Sequence, residues 1–331
     1  MNKKRIIIII FIVLISLAAG IYSQRVTVLD YWESINQPQL PPAVSHQQIE
    51  ELPKAVNQPE PDFIEQPIIE PLADDQASLD QVQEFPSPNI GQVIEDDDEE
   101  SGVRGQKSMA DPDSLDQNLP PPLLGKEGGH SESPTPPTPP STFNLAVPFT
   151  SQAPNANWEL PYQEACEEAS VYMVHSFYEG MKAGKIPVEV ADAALLKIVE
   201  FEKMLFGDYL DTTAEQTALF AEQIFGYTNT KLLYNPTVDE IKAHVSAGRP
   251  VIVPAAGQQL GNPNFTAPGP LYHMLVIRGY TETSFITNDP GTRKGEAYIY
   301  KFDTIMQAMH DWNGGDVVNG QKVVIVIYPE G

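Results

Sequence analysis

Cysteine is nearly missing from this chain: Cys166 is the one cysteine in 331 residues. A single thiol excludes an internal disulfide, and no Cys/His cluster with metal-ligand spacing is present. No metal or organic cofactor is expected. Basic residues are also scarce, 20 Lys and Arg against 45 Asp and Glu, for a formal net charge of -25. No basic stripe interrupts that acidity, which argues against nucleic acid as a partner. Aromatic residues almost vanish between Trp32 and Phe143, where 22 acidic residues face 4 basic ones and 19 of the 31 prolines fall. Such a stretch cannot bury enough apolar surface to offset the entropy of ordering it, so residues 25–142 are expected to form a disordered acidic, proline-rich linker. There is no internal repeat. The acidic run EDDDEE at 95–100 lacks the glycine and the ligand spacing of a calcium loop and reads as solvated spacer.

What is present begins with Lys3, Lys4 and Arg5, followed by the apolar run IIIIIFIVLISLAAGIY at 6–22. A basic flank before such a run marks residues 1–24 as a signal peptide or a short membrane anchor. The run is longer than a usual signal core, which favours the uncleaved anchor. Either way the basic flank stays inside and the rest is exported. As a flexible coil, about 110 linker residues would span roughly 58 Å, letting a folded unit work away from the membrane.

From Phe143 onward the texture changes, and residues 143–331 are expected to form one folded domain with a sizeable core. NLAVPF at 144–149 reads as a short strand. Helices are expected over Ala165–Met181 and Val188–Leu205. Thr213 with Gln216, and Thr237 with Glu240, have capping-box spacing for two more helices, the second stopping at Gly248 before Pro250. Strand patterns follow in PVIVPA, YHMLVIRGY, SFITND, AYIYKF and KVVIVIY. Helices first and an antiparallel sheet after them is an α+β arrangement.

Cys166 falls on the first turn of the first domain helix, where backbone N–H groups and the helix dipole favour a thiolate. Such a nucleophile needs a histidine beside it and a group to orient that histidine. His175 lies nine residues along the same helix and cannot reach back. His244 and His310 are expected at the surface. His273 opens an apolar strand after the loop GQQLGNPNFTAPGPL, a place where site residues collect. Asp289 lies sixteen residues later, at the end of the next strand. In a hairpin turning near Glu282, position 273 faces about position 290, which sets the carboxylate next to the imidazole. Asn288 reads as turn chemistry; Trp158 and Tyr272 read as packing or cleft walls.

Together SQAPNANWELPYQEACEEAS, LYHMLVIRGY and FITNDPGT resemble the C39-like peptidase family, of papain-like fold, over about residues 145–329. The resemblance implies Cys166 as nucleophile, His273 as general base and Asp289 as the group orienting it. It also implies Gln152 as an oxyanion-hole donor beside the Cys166 backbone N–H. It implies a peptide or protein substrate, or a cell-wall peptide; separately, the N-terminal segment points to export, and a monomer is expected. An inactive peptide-binding relative and a cell-wall amidase remain alternatives. Where the family usually carries glycine after the nucleophile, this chain has Glu167. With Glu164 and Glu168 it is expected to form an anionic collar that opposes thiolate formation.

Overall fold

The computed structural model describes residues 40–51 and 139–329. The apolar run 6–22 and most of the acidic linker lie outside the described residues. Among the described residues, no helix is long and apolar enough to cross a membrane.

The sequence signals for helices act as their chemistry dictates. The main helices are α2 (Cys166–Tyr178), α3 (Val188–Phe206), α4 (Ala214–Phe225) and α5 (Val238–Ser246). Thr213 and Thr237 each close a full capping box with the residue three places on, satisfying N–H groups that the helix leaves unpaired. Helices α3 and α4 stop at Gly207 and Gly226, both left-handed, a conformation in which glycine has no Cβ to clash. Helix α2 ends three residues earlier than expected, because Gly180 just beyond it turns left-handed as well.

Among the described residues, seven strands form one antiparallel sheet. They are β1 (Phe143–Asn144), β2 (Thr230–Tyr234), β3 (Val251–Ala256), β4 (Tyr272–Tyr280), β5 (Ser284–Asn288), β6 (Tyr298–Lys301) and β7 (Val323–Ile327). The order is β2-β7-β3-β4-β5-β6, with β1 pairing on β4. Every residue of β3, β4, β5 and β7 is buried, so these strands carry near-continuous apolar runs rather than alternation. Helices α2 and α5 both pack on β4, which places the start of α2 beside the start of that strand. The result is the α+β layout of helices preceding an antiparallel sheet.

Three details differ from the sequence reading. The stretch 144–149 gives only a two-residue strand, since Pro148 has no N–H for a ladder and the chain leaves β4 to meet Lys185 through Phe149. Strand β2 was not anticipated; its partner β7 lies far along the chain, and five residues alone carry little pattern. Residues 40–51 belong to the expected disordered linker, yet they dock on the domain. Val44 bridges Leu145, and a short helix α1 (His46–Glu50) with a Ser45–Gln48 capping box lays Ile49 on the core. Val44 and Ile49 supply the apolar surface that the rest of the linker lacks.

One glycine is needed for this closure. A Cβ on Gly279 would stand 2.6 Å from the Phe143 carbonyl oxygen. Its absence lets β1 lie against β4 at the bulge between Ile277 and Gly279.

Candidate active site

Cys166 is the first residue of α2, and its thiol lines a cleft of about 780 Å³ together with His273 and Gln152. His273 is the second residue of β4, and the hairpin register pairs Val276 with Asn288, bringing Asp289 level with the start of β4. The His273 Nε2 and Asp289 Oδ1 atoms are 2.8 Å apart, with both side chains fully buried. The hairpin expectation therefore holds in geometry: the carboxylate meets the imidazole. Cys166 lies beside the same strand, and the Met274 backbone acts to lower the thiol's pKa against larger opposing causes.

Asp289 is held from four sides. The Gly291 N–H donates to Oδ1 at 3.0 Å, Tyr300 Oη to Oδ2 at 2.6 Å and Asn262 Nδ2 to Oδ2 at 3.0 Å, beside the contact to His273. Burial alone would push its pKa up. The interaction with His273 and the hydrogen bonds from Tyr300 and Gly291 outweigh burial, and the pKa ends below the usual value. Tyr300 is pushed upward by burial and by the neighbouring Asp289 charge, so it stays a phenol that donates. Asn262 and Tyr300 were not singled out in the sequence. They come from a loop and from β6, and nothing in their local sequence marks them. Gly291 completes the imidazole seat, since a Cβ there would stand 2.8 Å from His273 Cε1. Phe265 packs edge-on against the imidazole at 5.4 Å between ring centres.

Gln152 reaches the cleft, but its amide is occupied. Nε2 donates to the carbonyls of Tyr162 at 3.0 Å and Gln163 at 2.8 Å, fixing the turn ahead of α2. To serve an oxyanion it would exchange one of these bonds. Asn288 acts within the fold, its amide bridging the Val147 and Pro148 carbonyls. Trp158 forms a half-exposed cleft wall, and Tyr272 is buried with its hydroxyl donating to the Thr212 carbonyl. His244 is a correction: it is buried rather than at the surface, accepting on Nδ1 from Arg249 Nε at 3.2 Å. Helix α5 turns that face inward onto the sheet.

Of the anionic collar, Glu164 lines the cleft, whereas Glu167 and Glu168 are buried, and both oppose a thiolate at Cys166 as expected. Cys166 Sγ lies 2.9 Å from Glu167 Oε2, and Glu167 Oε1 accepts from the Thr212 N–H at 3.1 Å. Glu168 meets Glu202 of α3, another fully buried carboxyl. Among the described residues no cation pairs with these three. Burial first, then mutual repulsion, pushes Glu202 up to about 9 and Glu168 well upward; burial, with Asp211 adding, takes Glu167 up to about 8. Burial and the neighbouring Glu167 likewise push the Cys166 thiol up.

These shifts have a sign in stability. A carboxyl whose folded pKa is raised keeps its proton in the fold while the unfolded chain gives it up above about pH 4.5. Stability from this cluster is therefore full below that pH and declines as pH rises toward 8 to 9, the values of Glu167 and Glu202. Asp289 acts oppositely: its depressed pKa means its contribution is lost only on strong acidification. The melting temperature of the full chain is expected to fall by at least several degrees between pH 5 and pH 9. Glu202→Gln is expected to remove part of that fall. A melting temperature that is flat or rises over this range contradicts the assignment of protons to the cluster.

Comparison with known proteins agrees with this architecture. Residues 144–314 match the profile of the Peptidase_C39 like family, slightly more than half the chain. The chain belongs to that family. A search of curated proteins gives no match. Among solved structures, the chain is similar to a Bacillus anthracis protein provisionally described as a C39-like peptidase. That match has 16% identity and a TM-score of 0.39, covering 57% of this chain and 98% of that one.

Proposed function

We propose that this chain is an exported, membrane-tethered cysteine hydrolase that cleaves peptide or amide bonds through Cys166, His273 and Asp289. The observation that supports this most is the His273–Asp289 hydrogen bond in the cleft that holds a cysteine at a helix start. Asp289 takes His273 Nε2, which leaves Nδ1 as the ring nitrogen for the thiol proton. Cys166 Sγ would attack the substrate carbonyl carbon while the imidazolium gives its proton to the leaving amine. Water, deprotonated by His273, would then release the acyl group and restore the thiol. The Cys166 N–H at the helix start suits the developing oxyanion, with Gln152 joining once it leaves a carbonyl.

Membership of a C39-like family supports peptides as the substrate class. The walls suit a peptide's mixed side chains: Glu164 and Asp211 are anionic, Arg293 and Lys294 cationic, and Trp158 and Leu271 apolar. Tethering rests on the N-terminal apolar run and the acidic spacer, which lie outside the described residues.

A second reading, a binding module that holds peptides without cutting them, is favoured by one contact: the thiol meets a glutamate. The test is to incubate the full-length chain separately with a mixture of unstructured peptides and with cell-wall peptide fragments. Time-dependent new termini in the first support the peptidase, and cleavage only in the second supports a wall amidase. Binding without cleavage of either overturns the hydrolase reading.

A further inference from the structure

Glu167 stands where a carboxylate should do most harm to a nucleophilic cysteine, one residue along and in direct contact with the sulfur. The site around it answers the difficulty. A neutral carboxyl has one oxygen that only accepts and one hydroxyl that donates. The Thr212 N–H engages Oε1, the accepting side, at 3.1 Å, and Oε2 faces Cys166 Sγ at 2.9 Å, with the side chain buried. While the thiol keeps its proton, both neighbours donate to Glu167; once that proton has left, the sulfur becomes an acceptor, and a protonated Oε2 is then its match. The charges around it oppose ionisation. On its own helix are Cys166 and Glu168; from α3 comes Glu202, and from the loop after α3 comes Asp211. Glu164 lies on the turn before α2 and repels Asp211. Tyr272, beside His273 on β4, is a further acid near Glu167, with Asp311 also close to it. Of these, only His273 can carry a positive charge, and it is committed to Asp289.

We propose that Glu167 keeps its proton at neutral pH and donates it as a hydrogen bond to Cys166 Sγ, steadying the thiolate that attack requires. This rests on Cys166 being the nucleophile. The proton of the thiol goes to His273, while the proton of Glu167 stays on Oε2 and bridges to the sulfur. No net charge is added beside the thiolate, and a donor replaces the repulsion. When Glu167 ionises, the contact reverses. The carboxylate then accepts from the thiol and holds the proton on sulfur, and the nucleophile is switched off. Glu167 is thus a positioning residue for the thiolate.

The test follows alkylation of Cys166 by iodoacetamide in the native full-length chain, read by mass spectrometry from pH 6 to pH 10. An ordinary thiol reacts faster at each step upward. Here the rate is expected to fall at least about threefold as pH rises through about 8, the value to which burial takes Glu167. Glu167→Gln keeps a donor toward sulfur and an acceptor toward Thr212 at every pH, so its rate is expected not to fall. A wild-type rate that climbs steadily through this range overturns the proposal, as does a Gln profile that superimposes on it or an absence of native labelling. If the variant does not fold, judged by circular dichroism, the wild-type profile alone decides. A falling limb without any peptide cleavage would sink the hydrolase reading and leave Glu167 in its role. Cleavage through Cys166 with a steadily climbing profile would do the reverse.

Discussion

Cys166→Ala is expected to abolish hydrolysis, down to whatever the cleft supplies without a nucleophile, while the domain folds as before. Removal of one member of such a set typically costs several powers of ten in rate. The sulfur is buried at the head of α2 and touches Glu167 Oε2 and the region of Met274. Alanine leaves a small space and takes away the contact with Glu167 Oε2. Relief of thiol desolvation offsets part of the lost packing, and the change in stability should stay within about 1 kcal/mol. The measurement is initial rate on a cleaved peptide together with the melting temperature of the same sample. Hydrolysis that survives within tenfold of wild type would remove Cys166 from the chemistry.

Asp289→Asn is expected to lower kcat/KM by about 10³–10⁴-fold. The change is nearly isosteric but alters what the imidazole meets. An amide NH₂ facing His273 Nε2 would require that nitrogen to be an acceptor, which moves the ring proton to Nδ1, where the thiol proton has to arrive. An amide oxygen there keeps the tautomer but places the NH₂ against Tyr300 Oη and Asn262 Nδ2, both donors in the native site. One of two donor pairs must break whichever way the amide turns. A loss of stability of about 1–3 kcal/mol should accompany the loss of activity. The decisive feature is the split: kcat should fall far more than KM rises, since Asp289 lies fully buried behind the imidazole. A rise in KM alone would place Asp289 in substrate binding and not behind His273.

How far the sequence could carry this account differs between residues. The helices were legible because their punctuation is local: Thr213 with Gln216, Thr237 with Glu240, and the glycines at 207 and 226 act within one turn. Strands β3, β4 and β7 were legible as buried apolar runs. Strand β2 was not, because it gains its identity from pairing with β7 far along the chain. In the candidate site, the proximity of His273 to Asp289 followed from hairpin arithmetic, and the bulge at 277–279 shifted it only slightly. Asn262 and Tyr300 escaped notice because their roles exist only after a loop and an outer strand fold over Asp289. Glu167 and Glu168 were read as acids opposing the thiolate, but their burial was not legible. Helix-start acids are usually solvated, and only the packing of α3, which brings Glu202, turns this pair into a buried cluster. Residues 40–51 were read by bulk composition, which hid two apolar anchors, Val44 and Ile49, inside a polar stretch.

The central claim is that Cys166 is a nucleophile activated by His273, and labelling by iodoacetamide at pH 7 tests it most directly. The full-length wild-type chain should be modified at Cys166 faster than a free thiol of the same concentration. His273→Ala should slow that labelling at least about tenfold, because the base that takes the thiol proton is gone. Slow labelling that is equal in both proteins and quickens only in denaturant would contradict the account and leave Cys166 as a thiol buried for packing alone.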